Sequence, residues 1–96
     1  MTPESVSPQE AKRLVDQGAV LIDIRDPAEY LREHIPNARS LPLTDITAGI
    51  KLEGTELQPV IFHCLSGGRT AQNANALMKA ASPVPALLMA GGINAW

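Results

Sequence analysis

The sequence has few aromatic residues, a single cysteine and no run of basic residues. Tyr30, Phe62 and Trp96 are the only aromatic side chains, so aliphatic residues must form the core of a chain of 96 residues that is 45% hydrophobic. A single cysteine excludes an intramolecular disulfide and disfavours a cysteine-based metal site. We therefore expect one small domain, residues 1–96, that binds no metal.

Charge and hydropathy exclude further classes of protein. A formal net charge of −2 without a basic tract argues against nucleic acid as the main partner. No apolar run is long enough to cross a bilayer, and residues 1–4 lack the pattern of a signal peptide. The reducing cytoplasm is the simplest location, because it also keeps a thiol reactive.

What the sequence does contain is an apolar run, residues 60–63, that leads directly into the only cysteine. The run predicts a buried strand, and the alanine-rich segment over residues 70–81 predicts a helix. Cys64 therefore lies where a strand gives way to a helix. In parallel sheets, ligands bind at the carboxyl ends of the strands.

The loop that begins at Cys64 favours an anion. Gly67 and Gly68 can both adopt positive φ, which allows successive backbone N–H groups to point inward, and the helix adds the positive end of its dipole. A thiol held in this way has a lowered pKa, because its thiolate is stabilised. The alternative, that Cys64 is only a small buried hydrophobe, is disfavoured by the Gly-Gly-Arg that follows it.

The other segments alternate between helix and strand patterns, which predicts right-handed βαβ units and a mostly parallel sheet. The predicted helices cover residues 8–17, 26–32 and 45–50, and the predicted strands cover residues 19–24, 39–41 and 86–90. Ser7 and Glu10 form a capping pattern for the first helix, and Gly18 ends it. A polar connection is predicted over residues 52–59.

Four stretches, residues 21–30, 34–43, 64–70 and 89–96, resemble in this order the motifs of rhodanese (sulfurtransferase) domains. Residues 64–70 are similar to the active-site loop of that family, and residues 21–30 to its DVR-x-x-x-E block. Residues 34–43 resemble its HIPGA segment, with Asn37 where the family usually has glycine, and residues 89–96 resemble its closing Gly-Gly and tryptophan motif. Asparagine tolerates left-handed φ, so this turn is expected to survive.

The resemblance covers nearly the whole chain and implies an α/β fold of three layers. Its mostly parallel five-stranded sheet includes a small strand near residues 4–6 and carries helices on both faces. Taken together, the sequences of these four stretches are most similar to those of bacterial rhodanese domains fused ahead of membrane helices. The final helix of the family is absent after Trp96, so the resemblance implies a missing C-terminal part that contains an anchor and holds the domain at the cytoplasmic face of the inner membrane.

The resemblance also implies a chemistry, the transfer of a sulfane sulfur through a Cys64 persulfide. Thiosulfate or a similar donor supplies the sulfur, and a thiol, a protein or cyanide accepts it. No cofactor is needed. The loop expected to hold the persulfide with its backbone N–H groups consists of Leu65, Ser66, Gly67, Gly68, Arg69 and Thr70.

The length of the loop distinguishes sulfur transfer from the reactions of related phosphatases. Four residues lie between Cys64 and Arg69, whereas related phosphatases have a wider loop with five. The shorter loop favours sulfur over phosphate. A phosphatase or arsenate reductase on the same fold remains an alternative, and so does a non-catalytic persulfide carrier or binding module.

Two arginines have two interpretations each. Arg69 either attracts an oxyanion or pairs with a carboxylate such as Asp23 or Glu29. Arg25 follows a neighbouring strand at the same edge as Cys64, so it is a candidate anion-binding residue; the alternative is a salt-bridged or solvated role.

Two more polar residues occur in the strands next to the loop. Asp23 interrupts an apolar strand, so we expect it to have a structural partner. His63 precedes Cys64, and alternation directs its side chain to the opposite face of the strand. A tuning effect of His63 on the thiol is therefore the minor hypothesis. For His34, in the HIPGA-like segment, we expect a mainly structural role.

Overall fold

The computed structural model of the protein describes residues 4–50, 59–82 and 84–96. Strands and helices alternate along the chain in this order: β1 (Glu4–Val6), α1 (Pro8–Asp16), β2 (Val20–Asp23), α2 (Pro27–Arg32), β3 (Arg39–Ser40), α3 (Leu43–Thr47), β4 (Val60–His63), α4 (Gly68–Gln72), α5 (Ala74–Ala81), β5 (Ala86–Met89) and α6 (Gly92–Ala95). The described strands form a sheet in the order β1-β5-β4-β2-β3, and all its pairs are parallel. This confirms the predicted five-stranded α/β architecture.

Strand β4 lies at the centre of the sheet, between β2 and β5, and every one of its residues is buried. Phe62 aligns with Ile22 of β2 and with Leu88 of β5. Because helices cover both faces of a parallel sheet, its central strands are continuous apolar runs rather than alternating ones.

Two apolar clusters fill the space on the two faces of the sheet. On the face of Phe62 and Cys64, α3 contributes Ile46 and α5 contributes Leu77. On the other face, α1 contributes Ala11, which is buried with Ile61 and other strand residues. Helices therefore lie on both faces, as expected, and the thiol belongs to one of the two cores.

Helix α1 begins and ends as the sequence predicts. The Ser7 Oγ accepts a hydrogen bond from the Glu10 N–H at 3.1 Å, and Pro8 occupies the first turn, where a missing N–H costs nothing. Gly18 follows the helix with φ of 107°, a conformation that glycine adopts without strain. Asn37 likewise has φ of 70°, so the turn expected to survive the missing glycine is present.

The single helix predicted over residues 70–81 is wrong, because the structure has two helices there. Helix α4 begins earlier, at Gly68, and Asn73 separates it from α5 with φ of −119° and ψ of 22°. The Asn73 Nδ2 donates to the Arg69 carbonyl at 2.8 Å. An asparagine side chain that bonds to nearby backbone competes with the helical hydrogen bonds, which explains the interruption.

Helix α3 also differs from its prediction, since it covers residues 43–47 rather than 45–50. Gly49 lies just beyond it with φ of 101°. The connection predicted over residues 52–59 lies, apart from residue 59, outside the described residues. Within the described ranges, no helix combines the length and the apolar composition needed to cross a membrane.

Candidate active site

Cys64 follows β4 directly and is only 1% exposed. Its Sγ accepts a hydrogen bond from the Gly67 N–H at 3.1 Å. The Thr70 hydroxyl lies 3.9 Å from the same sulfur and donates to the Gly67 carbonyl at 3.0 Å. The loop therefore folds back over the thiol and brings residues 67 and 70 into contact with it.

Only one of the two loop glycines has positive φ. Gly67 has φ of 101°, and a Cβ atom there would lie 3.2 Å from the Gly91 backbone nitrogen. Gly68 is instead the first residue of α4, and a Cβ atom there would meet nothing within 4 Å. The backbone reversal that directs the Gly67 N–H at the sulfur thus depends on Gly67 alone.

The pKa of the Cys64 thiol lies below its ordinary value. Burial acts to raise this pKa, but hydrogen bonds from the backbone N–H groups of Thr70, Gly67 and Arg69, together with the Thr70 hydroxyl, outweigh burial. Helix α4 has only five residues, so the individual N–H groups of the loop are a better account of this shift than the dipole of a long helix. The cradle therefore favours the thiolate of Cys64, which is the more reactive form of a cysteine in general.

A second turn supports the loop from outside, and its role was not foreseen from the sequence. Two backbone N–H groups that follow Gly92 donate hydrogen bonds to the loop. The Ile93 N–H donates to the Cys64 carbonyl at 2.8 Å, and the Asn94 N–H donates to the Leu65 carbonyl at 3.1 Å. A Cβ atom on Gly92 would collide with the Cys64 carbonyl oxygen. The signal in the sequence was a Gly-Gly pair immediately after a strand of the same parallel sheet.

Arg69 pairs with a carboxylate, and that carboxylate belongs to Glu29. Its Nη1 and Nη2 atoms donate to the two Glu29 oxygens at 2.9 and 3.1 Å. The Arg69 hydrogen bonds hold the pKa of Glu29 down at about 2, and the same pair raises the pKa of Arg69. The carboxylate-pairing interpretation of Arg69 is therefore present in the structure, with Glu29 rather than Asp23 as its partner.

Arg25 is also ion-paired. Its guanidinium contacts both oxygens of Asp23, with Nη2 at 2.9 Å from Oδ2, and Nη2 also donates to the Glu33 carbonyl at 2.6 Å. Arg25 is 5% exposed and Asp23 is fully buried. The expected structural partner of Asp23 is thus Arg25. The structure therefore shows the salt bridge, one of the two roles considered for Arg25. Anion binding by Arg25 stays a prediction, and no contact in the structure supports it.

His63 lies on the opposite face from the thiol, beside Asp23 on the neighbouring strand. Its Nδ1 is 3.2 Å from the Cys64 carbonyl oxygen. Its Nε2 is buried without a hydrogen-bond partner and is 3.8 Å from the nearer Asp23 oxygen. Burial lowers the pKa of His63, although Asp23 acts in the opposite direction. His63 therefore touches the backbone of Cys64 rather than its sulfur.

The fold and the loop together define a class of protein: an α/β domain with a cysteine of lowered pKa in a cradle of backbone N–H groups, at the carboxyl end of a central parallel strand. The sequence model of one protein family, described as rhodanese-like domain, matches residues 7–96. The chain therefore belongs to that family.

The relatives of this chain are proteins of different lengths. It is 32% identical to the uncharacterized protein slr1261 of Synechocystis over 99% of this chain, and spans about half of that protein, 52%. It is also 32% identical to the thiosulfate sulfurtransferase GlpE of Pseudomonas fluorescens Pf0-1, over 95% of this chain and 82% of that protein. The fold is similar to that of a Rhodopseudomonas palustris protein of unknown function, described as a possible tyrosine phosphatase, with a TM-score of 0.77 and 27% identity over 98% of this chain and 79% of that one.

Proposed function

We propose that this domain is a sulfurtransferase that carries a sulfane sulfur as a persulfide of Cys64. The observation that carries the proposal is a nearly buried thiol whose pKa is lowered by loop N–H groups in spite of burial. The similarity to a thiosulfate sulfurtransferase supports the same class of reaction.

The reaction has two half-reactions. In the first, the Cys64 thiolate attacks the outer sulfur of the donor, an Sγ–S bond forms, and the S–S bond of the donor breaks; from thiosulfate, sulfite leaves with the electron pair. In the second, cyanide or an acceptor thiolate attacks the outer sulfur, and the Cys64 thiolate leaves. Because the cradle stabilises the thiolate, it assists Cys64 both as nucleophile and as leaving group.

The rest of the loop is proposed to surround the transferred sulfur. Leu65, Ser66 and Gly68 are exposed, so they form the rim through which a donor and an acceptor reach the persulfide. Gly67, Arg69 and Thr70 contribute the N–H groups that act on the thiolate. For Arg25 we propose a positioning role, because its contacts with Asp23 and Glu33 join the end of β2 to the chain beyond α2.

Phosphate hydrolysis is the second candidate, favoured by the similarity to the protein described as a possible tyrosine phosphatase. Two features argue for sulfur instead. The loop has four residues between Cys64 and Arg69, and Arg69 is bound to both oxygens of Glu29. A phosphate ester would need the positive charge that Glu29 already neutralises.

The test compares the protein with its Cys64→Ser variant. After incubation with thiosulfate, intact-mass spectrometry should find one added sulfur atom on the native protein and none on the variant. Subsequent addition of cyanide should release thiocyanate and return the original mass. Equal melting temperatures of the two proteins would show that the variant lacks the nucleophile and not the fold.

Two other outcomes would replace the proposal. If the native protein hydrolyses an aryl phosphate faster than it transfers sulfur, the phosphatase is the correct function. If the persulfide forms but discharges only to one protein partner and never to cyanide or a small thiol, the domain is a carrier.

A further inference from the structure

Four alternating charges lie beside the candidate loop. Asp23 pairs with Arg25, and Glu29 pairs with Arg69. The two pairs influence each other electrostatically, since the charge of Glu29 acts on Arg25 and that of Arg25 acts on Glu29. These four side chains carry two positive and two negative charges, so the group as a whole is neutral.

In the pair of Glu29 and Arg69, the carboxylate is held by the guanidinium and by a backbone N–H group. Glu29 accepts from both terminal nitrogens of Arg69 and also accepts from the Asp26 N–H at 3.2 Å, which fixes the carboxylate at the start of α2. The pKa of Glu29 is about 2, so the carboxylate stays ionised at neutral pH. Arg69 keeps other N–H donors and is 37% exposed, but an oxyanion donor that contacts it meets a guanidinium whose charge the bound carboxylate already balances.

This arrangement affects donors unequally. Thiosulfate brings two negative charges next to its sulfane sulfur, and the nearest arginine is already neutralised. The persulfide of a thiol brings at most one charge and no oxyanion, so it requires little beyond the activated thiolate and the loop N–H groups. Building on the proposed sulfur transfer, we infer that Glu29 is a specificity-determining residue that cancels the charge of Arg69 and selects thiol persulfides over oxyanion donors such as thiosulfate.

The persulfide reaction balances without any further reagent. The Cys64 thiolate attacks the outer sulfur of R–S–SH and forms the Sγ–S bond. The S–S bond of the donor breaks, its electron pair leaves with the thiolate RS⁻, and the proton stays on the transferred sulfur. The leaving thiolate carries one charge, whereas the sulfite that leaves thiosulfate carries two.

The experiment measures kcat/KM for two donors, thiosulfate and the persulfide of 2-mercaptoethanol, with cyanide as acceptor. The native protein should prefer the persulfide. Glu29→Gln should raise kcat/KM for thiosulfate about fivefold to tenfold, because Arg69 regains its charge, and should leave the persulfide value within about twofold. Glu10→Gln is the matched control: it removes one carboxylate and one ion pair, with Arg13 on α1, and should change neither value.

A double variant separates charge from structure. In Glu29→Gln/Arg69→Gln both charges are gone, so the gain in kcat/KM for thiosulfate that Glu29→Gln produces should be lost. The native protein offers a check that needs no variant. With Arg69 neutralised, its kcat/KM for thiosulfate should change less than about twofold between low and high salt, since an uncancelled cation would steer an anion strongly.

Three results would overturn the inference. Glu29→Gln with unchanged or reduced thiosulfate transfer and an intact persulfide rate would exclude charge cancellation. Equal losses with both donors would make Glu29 a structural support of the loop. A steep fall with salt in the native protein would mean that Arg69 still attracts oxyanions. The proposed function fails in a different way, namely when neither donor leaves a persulfide on Cys64 of the native protein.

Discussion

His63 and Cys64 are adjacent residues at the end of β4, and they occupy opposite faces of the sheet under nearly complete burial. The pKa of each is lowered, but with opposite consequences. Burial keeps His63 neutral, because it disfavours the imidazolium. At Cys64 burial would favour the neutral thiol, and the N–H groups of the loop reverse that preference.

The difference lies in what surrounds each side chain. The thiol is met by the backbone N–H groups of Gly67, Arg69 and Thr70, so its charged form gains hydrogen bonds. A neutral imidazole that donates from Nδ1 to the Cys64 carbonyl leaves Nε2 as a lone pair, 3.8 Å from an oxygen of Asp23. Burial alone therefore favours the neutral form of a side chain, and at Cys64 the N–H donors of the loop backbone stabilise the charged form instead.

The largest effect on the difference between Cys64 and His63 is expected from a change at Gly67, whose positive φ turns the loop back toward the thiol. Gly67→Ala forces an alanine to φ of 101° and brings its Cβ to 3.2 Å from the Gly91 nitrogen, which should lower the free energy of unfolding by about 2 kcal/mol. The pKa of Cys64 should rise, because the Gly67 N–H moves away from Sγ. Urea unfolding measures the first effect, and the rate of iodoacetamide alkylation against pH measures the second.

Gly68→Ala is the matched control for this change. Its Cβ meets nothing within 4 Å, and the residue is helical, so the variant should be as stable as the native protein or more stable. Its alkylation profile should be unchanged. If the two alanine variants alkylate alike, the Gly67 N–H does not hold the thiolate and the comparison with His63 loses its basis.

The buried His63 predicts that the free energy of unfolding depends on pH. The pKa of His63 is lower in the folded protein than in the unfolded chain, so the unfolded chain binds a proton first as the pH falls. The stability that depends on neutral His63 is complete above about pH 6.5 and is lost as the pH falls toward the folded pKa. Between pH 7.5 and 5.5 the free energy of unfolding should therefore fall, and for one proton the loss is limited to about 1.4 kcal/mol for each pH unit below the unfolded pKa.

His63→Gln should remove that pH-dependent loss, while His34→Gln, at the exposed histidine, should retain it. Both are best compared in a Cys64→Ser background, where the thiol does not titrate. Urea unfolding at the two pH values provides the free energies. An equal loss in the two variants would mean that the buried imidazole is not the group that binds the proton.

The smallest expected effect tests the side-chain part of the cradle. Thr70 is 1% exposed, and Thr70→Val keeps its volume while removing the hydroxyl near Sγ. The single hydroxyl proton is donated to the Gly67 carbonyl at 3.0 Å, and Sγ is 3.9 Å away, so we expect at most a small rise in the pKa of Cys64. The missing bond to the Gly67 carbonyl should lower the free energy of unfolding by about 1 kcal/mol. Alkylation against pH is again the measurement.

Thr47→Val is a suitable control, because that exposed hydroxyl also donates to a backbone carbonyl, that of Thr44, but far from the thiol along the chain. It should leave alkylation unchanged. A larger rise in the pKa of Cys64 for Thr70→Val than for Gly67→Ala would make the hydroxyl, rather than the Gly67 N–H, the main stabiliser of the thiolate.

Most of the order of strands and helices was predictable because its signals lie in neighbouring residues, although β1 was expected only from the family resemblance and two helices replace the one predicted over residues 70–81. A cap at Ser7, a glycine at residue 18 and an apolar run before Cys64 act over one or two turns of chain, and a parallel sheet follows from their alternation. The positive φ of Asn37 was also predictable from the residue itself, because asparagine tolerates this conformation. The cysteine at the carboxyl end of a central strand was therefore predictable from local sequence, although the role of residues 64–70 as a persulfide cradle stays a prediction.

The contacts that tune the candidate site join distant parts of the chain, and no local pattern encodes them. Arg69 reaches Glu29 across 40 residues of sequence, a choice over Asp23 that depends on how α2 and α4 pack beside the sheet. Gly92 must lack a side chain because the end of β5 brings it against the Cys64 carbonyl. Which donors and charges surround a buried group is a property of packed neighbours, so the charge balance beside the thiol follows from the tertiary structure.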